Sequence, residues 1–493
     1  MELMYLIIPA MLLLVVLATI WLERFSVPVI LVALGIGIAC GGDVLGLWPF
    51  DDMEVTRRIA DLVLVFILFH GGFGLERRSV RPVALAAGGL ATWGVLITSV
   101  VTFLSLRFLF RWPAETAGLV SVILSSTDAT ATFSILRRQP LPEKLASTLE
   151  VESASNDPMA ILLTVLAVEG LSGQTGHAGW WFLPKCAWQF AAGPLLGWGM
   201  GLLGVGLFNR LKPAERGHYY VLFVALAMMT YGVAESVRGS GMLAVFVAGY
   251  VMGNRPFVYR QCITHFSAAL STLANIGMFI LLGLLSSPKE FGGLWLDGIA
   301  LFAALSLLAR PAAVWLGTAG MRIPWREKTF MAWAGLRGAV PIVLATYPAA
   351  AGLPHGQEVF NLVFFTVILS MVLQGATLGP VAWWLGLSAP QKEKPLYNLE
   401  LVSLAESDMD LVTVELPDGG GTGVAIRELR LPPESIITLV TRGATVIAPT
   451  GAAVLRGGDA VTVLTHIRNA DAVRAALAGP FEEAKALEDA ADA

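Results

Sequence analysis

The sequence is built from apolar runs long enough to cross a lipid bilayer. About 20 consecutive apolar residues span the hydrocarbon core as a helix. That ruler marks thirteen candidate spans, at roughly 4–22, 27–43, 58–75, 83–109, 114–136, 148–168, 186–208, 218–236, 240–253, 266–286, 294–317, 328–348 and 358–386. Only 14% of the residues are charged and 56% are hydrophobic, where a soluble domain carries about 25% charged residues. The pattern predicts a polytopic α-helical membrane protein and gives no sign of an enzyme. The first run has no basic stretch before it and no small-residue cleavage site after it. It reads as a membrane helix, not a removed signal peptide. Cys40, Cys186 and Cys262 are far apart and odd in number. They lack disulfide or metal spacing and read as small packed hydrophobes.

Basic residues gather in alternate loops. Arg77, Arg78 and Arg81, then Arg137, Arg138 and Lys144, then Arg322, Arg326 and Lys328 belong to the richer set, while Arg57, Arg58 and Lys185 belong to the poorer one. Cytoplasmic loops carry the excess of Lys and Arg. The N-terminus is therefore expected outside and the C-terminus in the cytoplasm, which needs an odd number of spans. The membrane part is expected to cover 1–388, with a polar linker at 389–398. From 399 to 480 short alternating segments at 411–416, 435–440, 444–447 and 460–464, separated by turns at 419–421 and 457–459, predict a small α+β domain. Residues 481–493 read as an acidic tail, rich in Glu and Ala and either helical or disordered.

Three polar stretches interrupt the apolar runs. The first is Ser125-Ser126-Thr127-Asp128 in the fifth span. A carboxylate near mid-bilayer costs about 3 kcal/mol or more, and Ser, Thr and Asp bond local backbone in ways that open a helix. A break there exposes carbonyls and hydroxyls as cation ligands. The competing reading is a continuous helix bonded to its neighbours. The second stretch, Glu152 to Pro158, carries Ser153, Asn156 and Asp157. At about 100° per residue, Ser153 and Asp157 share a face while Glu152 points away from Asp157. The competing reading is a helix start capped by Ser155 or Asn156, with Pro158 in its first turn. The third stretch, Trp333 to Pro341, places Gly335, Gly338 and Pro341 around Arg337. It predicts a second interrupted helix. A buried Arg needs a carboxylate, and Glu152 is the candidate; otherwise Arg337 snorkels to the surface.

Thr127-Asp128, then Asn156-Asp157, then the Gly335 to Pro341 stretch Gly-Leu-Arg-Gly-Ala-Val-Pro together resemble the monovalent cation–proton antiporters of the Asn-Asp branch. The similarity is strongest to bacterial potassium–proton antiporters of the cell volume regulation, or NhaP, type. It implies thirteen helices with two inverted repeats, spans four to six and eleven to thirteen forming the transport core and the rest a homodimer interface. It implies that Asp157 alternately holds a proton or a cation, that Asn156 orients the site, and that Ser153, Thr127 and Asp128 complete the cation shell. Glu152 and Arg337 would form a structural ion pair. One carboxylate beside an Asn goes with electroneutral exchange of K+, or alternatively Na+, for H+ across a bacterial inner membrane, serving ion, pH and volume homeostasis. No cofactor, resident metal or nucleic acid is implied.

The sequence departs from that pattern at His70, where many relatives carry an acidic residue. A His there would tune the pH response; the plainer reading is a hydrogen-bonded His at a helix end. The C-terminal part resembles the TrkA-C domain through Ile426, Leu429, Leu431-Pro432, Ile436-Ile437, Val440, Arg442-Gly443, Pro449, Gly451 and Gly458-Asp459. That resemblance implies dimerisation and control by a small ligand; the competing reading is a stabilising dimer module without a ligand. Two other functional classes fit less well. An intramembrane aspartyl protease needs a Gly-x-Gly-Asp context that is absent, and no repeated selectivity-filter segment suggests a channel.

Overall fold

The computed structural model describes residues 2–22, 27–48, 50–136, 141–172, 182–211, 215–388, 409–417, 423–443 and 445–491. The chain divides into two units. One comprises Met1–Val205, Glu215–Arg255 and Thr264–Pro390; the other comprises Gly206–Ala214, Pro256–Ile263 and Gln391–Ala493. The linker expected at 389–398 lies outside the described residues.

The first unit is helical. Its helices run in the order α1 (Glu2–Leu22), α2 (Val29–Cys40), α3 (Met53–Gly74), α4 (Arg77–Gly89), α5 (Val95–Leu104), α6 (Ala114–Ile123), α7 (Ala129–Ile135), α8 (Glu143–Leu171), α9 (Phe182–Arg210), α10 (Gly217–Ser236), α11 (Gly241–Gly253), α12 (Arg260–Leu285), α13 (Phe291–Ala303), α14 (Arg310–Gly317), α15 (Trp325–Trp333), α16 (Ala339–Ala350) and α17 (Gly356–Trp384). Among the described residues seven helical rods are long and apolar enough to cross a membrane: Tyr5–Leu22, Arg77–Leu109, Pro184–Arg210, Gly217–Ser236, Arg260–Leu285, Pro288–Gly317 and Gly356–Trp384. Local chemistry marks the helix starts. Pro113, Pro142 and Pro324 stand immediately before α6, α8 and α15, where a fixed φ suits helix initiation. Asp52 accepts the Val55 N–H to cap α3, and Ser240 accepts that of Leu243 to cap α11.

One order of elements occurs twice. A rod containing a stretch of wider π-helical turns (α4–α5 with residues 90–94; α13–α14 with 304–309) is followed by a broken helix (α6/α7; α15/α16). A 29-residue helix then follows in each case, α8 or α17. These are the fourth to sixth and eleventh to thirteenth apolar runs. Where helices approach closely, glycine makes the room. A Cβ on Gly249 of α11 would sit 2.2 Å from the Phe69 carbonyl oxygen of α3, and one on Gly72 would sit 2.1 Å from that of Phe246. Without a hydrophobic drive between helices in lipid, such close backbone packing is the main source of attraction.

The C-terminal residues form β1 (Met409–Glu415), β2 (Val424–Ala425), β3 (Ile436–Arg442), β4 (Thr445–Ile447), β5 (Val454–Leu455), β6 (Ala460–His466) and α18 (Ala470–Ala491). The strands predicted at 411–416, 435–440, 444–447 and 460–464 fall on β1, β3, β4 and β6. These pair antiparallel in the order β1-β6-β3-β4, while β2 and β5 form a separate two-stranded ribbon. Val461 and Val463 of β6 meet Leu416, Ile437, Val440, Leu455 and, from α18, Val473, Leu477 and Phe481 in one apolar core. The last three recur every four residues, which is one face of a helix. The boundary drawn at 480 falls within α18, whose later part reads from the sequence as helical or disordered. Phe481 is part of the core and α18 runs through the segment read as a tail. Buried Asp459 takes a bidentate pair from Arg442, with Nε–Oδ1 2.7 Å and Nη2–Oδ2 2.8 Å.

Candidate functional site

Both interrupted helices expected from the sequence are present. The helix opens between α6 and α7 at 124–128 and between α15 and α16 at 334–338. The two openings lie against each other. The Asp128 N–H donates to the Leu336 carbonyl at 2.8 Å, and Thr132 Oγ1 donates to the Ala334 carbonyl at 3.1 Å. The contact is close enough that a Cβ on Gly338 would stand 2.1 Å from Asp128 Oδ2. Each break leaves unpaired carbonyls on one side and unpaired N–H groups on the other, and the sequence places opposite charge at each. Asp128 Oδ1 accepts the N–H groups of Thr130 and Ala131 at the start of α7, at 2.8 and 3.2 Å. The same carboxylate lies against Gly338, at the start of α16. Arg337 Nη1 donates at 2.5 Å to the Ser126 carbonyl, just past the end of α6. A carboxylate at helix N-termini and a guanidinium at a C-terminus both oppose the helix dipole.

α8 runs unbroken from Glu143 to Leu171 with Pro158 inside it, so Asn156 and Pro158 do not begin a helix. It presents three side chains to the first opening. Ser153 Oγ donates to the Thr127 carbonyl at 2.7 Å and accepts the Ala129 N–H at 2.9 Å. Asn156 Nδ2 donates to Thr127 Oγ1 at 2.7 Å, and its Oδ1 accepts the Thr127 N–H at 3.3 Å. Ser153, Asn156 and Thr127 therefore hold the opened backbone. The third side chain is Asp157. Ser126 Oγ faces its carboxyl group and has no hydrogen-bond partner among the described residues. Asp128 is near enough for the two negative charges to repel. Asp157 is half-buried and forms no ion pair among the described residues.

The expected ion pair between Glu152 and Arg337 is not formed. Glu152 Oε1 pairs instead with Arg310 Nη1 at 2.5 Å, the two side chains being 1% and 3% exposed. Arg337 is buried, as expected, but its charge is spent on the Ser126 carbonyl. Its backbone N–H donates to Ser370 Oγ of α17 at 3.3 Å. Helical phase correctly turned Glu152 away from Asp157 but could not say which arginine waits there. Arg310, at the start of α14 directly after the wide turns 304–309, was missed. The signal was available: a lone Arg in an apolar run, the reasoning that singled out Arg337. Ser126 was likewise read only as part of the break, not as the hydroxyl beside Asp157. His70 lies on α3, its Nδ1 3.0 Å from Ser267 Oγ of α12, matching the hydrogen-bonded reading.

A partly buried carboxyl group without a basic partner, set where two opened helices meet inside a bundle of membrane-length helices, defines a membrane ion transporter. The pattern of the family described as "Sodium/hydrogen exchanger, transmembrane" matches residues 10–384, and the chain belongs to this family, whose members exchange monovalent cations for protons. Among its relatives, the K(+)/H(+) antiporter NhaP2 of Shewanella sp. (strain ANA-3) is 36% identical over 92% of this chain and 79% of its own. The K(+)/H(+) antiporter NhaP of Alkalimonas amylolytica is 36% identical over 82% and 70%. The Na(+)/H(+) antiporter NhaS2 of Synechocystis is 28% identical over 73% and 66%. In fold, the chain is similar to the sodium proton antiporter MjNhaP1 from Methanocaldococcus jannaschii, with a TM-score of 0.69 at 23% identity over 78% of this chain and 99% of that one.

Proposed function

We propose that this chain exchanges K+, in preference to Na+, for H+ one for one, with Asp157 as the group that carries either the proton or the cation. The observation that carries this reading is the position of Asp157. Every other charge at the crossing is committed: Glu152 to Arg310, Arg337 to the Ser126 carbonyl, Asp128 to the start of α7. Among the described residues Asp157 alone has no such partner. A carboxyl group in a poorly solvated place prefers to be neutral, and either a proton or a monovalent cation makes it so. Two ligands that neutralise the same group compete for it, and competition is sufficient for exchange if the site changes sides only when occupied. Ser126 Oγ, facing that carboxyl group, is an additional ligand. Ser153, Asn156 and Thr127 act by holding the opened backbone in place, and Asp128 contributes through its charge. K+ is preferred because the two potassium-named relatives are the more similar ones.

The bacterial inner membrane, an outside N-terminus and cytoplasmic C-terminus, and a homodimer belong to the same reading. So do thirteen crossings, in which α3, α8 and the shorter helices α2, α6/α7, α11 and α15/α16 complete the set begun by the seven long rods. The C-terminal unit is read as a TrkA-C-like regulator that responds to a small ligand. The test is dissipation of a proton gradient in everted vesicles on adding K+, Na+ or Li+ across a pH series. Asp157→Asn is expected to abolish the response to every cation while the protein remains in the membrane. Full activity in that variant refutes the role of Asp157, and cation flux without opposing proton flux refutes exchange.

A further inference from the structure

A second polar centre lies away from the crossing. A cavity of about 500 Å3 is lined by Glu54, Arg57, Asp61, Glu169, Gln189, Tyr231, Glu235 and Tyr347, among others. It sits at one end of the helical unit: Glu54 is in the first turn of α3, Glu235 in the last turn of α10, and the cap residue Ser240 of α11 also lines it. Most of its charges are matched. Arg57 bonds Glu54 and Asp61, the latter with Nη1–Oδ2 3.0 Å. The Tyr347 hydroxyl donates to Asp61, and Lys185 pairs with Glu169. Two groups are not matched. Glu235 has no basic partner among the described residues; its Oε1 accepts the Gly241 N–H at 3.0 Å. A Cβ on Gly241 would stand 2.8 Å from that oxygen. Gln189 is 9% exposed, and its Oε1 has no hydrogen-bond partner among the described residues.

A buried carbonyl oxygen left without a partner is costly, and the site keeps it beside an excess of carboxylates. Carboxylate, amide carbonyl and hydroxyl oxygens are the ligands of hard cations. A water molecule would satisfy Gln189 but would leave the excess negative charge. The cavity also borders the helix that carries Asp157. Its wall includes Ile161 of α8, four residues on from Asp157 and so on the same face of the helix. We propose that Glu235 and Gln189, which line this cavity together with Asp61 and Tyr347, form a second, weaker site for a monovalent metal cation that loads Asp157 from the cavity side. The proposal rests on the exchange reading above and adds a station to its path.

The test uses purified full-length protein and vesicles of both orientations, with 86Rb+ and 22Na+ as probes. Asp157→Asn is expected to retain weak, saturable cation binding, and Glu235→Gln added to it is expected to remove that binding. In the otherwise unaltered chain, Glu235→Gln is expected to raise the apparent KM for cation supplied from the cavity side about tenfold, since a charged cleft concentrates counter-ions by that order. Vmax and the KM from the opposite side are expected to hold. Gln189→Leu shifts the same KM in the same direction, and Glu235→Asp, which keeps the charge, restores most of it. No binding to Asp157→Asn, or a KM unchanged by Glu235→Gln, means a water-filled path only and overturns the second site. Failure of the exchange reading would show instead as uncoupled flux in the unaltered chain.

Discussion

At the scale of single residues, the site is a matter of which charges are already engaged. Removing one partner of a buried ion pair strands the other and costs about 3–5 kcal/mol. Arg310→Gln and Glu152→Gln are therefore each expected to lower the melting temperature in detergent sharply. The double replacement by Met at 310 and Leu at 152 is expected to recover much of it, because an apolar pair of similar volume removes both charges from the interior. Arg337→Gln is expected to leave Glu152 paired and to lose mainly its bond to the Ser126 carbonyl, worth about 1.5–3 kcal/mol for a charged donor. Thermal melting of the four variants, compared with the unaltered chain, separates the two arginines. The sequence made the carboxylates and Arg337 conspicuous because each is charged within an apolar run. It left the pairing open because periodicity gives the direction of a side chain along one helix and not the neighbour that direction meets. Glu152 and Arg310 are 158 positions apart.

Among the elements, the two openings were legible and their mutual fit was not. Ser125 to Asp128 and Gly335 to Pro341 announce breaks through residues that bond their own backbone or cannot sustain a helix. Nothing in either stretch shows that Asp128 will donate to Leu336. Gly338 is where this contact is tightest. Gly338→Ala is expected to push Asp128 away from the start of α16 and to cost transport at least tenfold, as the cap on α7 and the carboxylate opposite it are displaced together. The readout is exchange rate per molecule of protein in reconstituted vesicles, with Gly320→Ala as a weaker comparison, since its surroundings are open although its φ of +79° is strained for alanine. A Gly338→Ala chain that exchanges at the normal rate would show that the crossing tolerates a separation of its two backbones.

For the whole molecule, the sequence separated a membrane part from a C-terminal β-rich part by the change from long apolar runs to short alternating ones. The helix α18 was less legible because Ala and Glu dominate it. Only its buried face, Val473, Leu477 and Phe481, reveals that it belongs to the core. Phe481→Ala is expected to destabilise the C-terminal unit by about 3–5 kcal/mol, seen as an earlier, separate melting step. If that unit regulates exchange, removing 399–493 is expected to change the dependence of the rate on pH and cation concentration more than the existence of exchange. Loss of all exchange, with the shortened chain still in the membrane, would make the unit part of the transport machinery.

The interlaced backbone at the crossing has a mechanical consequence. Thr127 is tied to Ser153 and Asn156 on α8, Asp128 to Leu336, and Arg337 to both Ser126 and Ser370. A displacement of any one strand of this weave drags the others. If Asp157 carries the exchanged ion, it would travel together with its surroundings, as a passenger fixed in its seat, and the sliding surfaces would have to lie outside the weave.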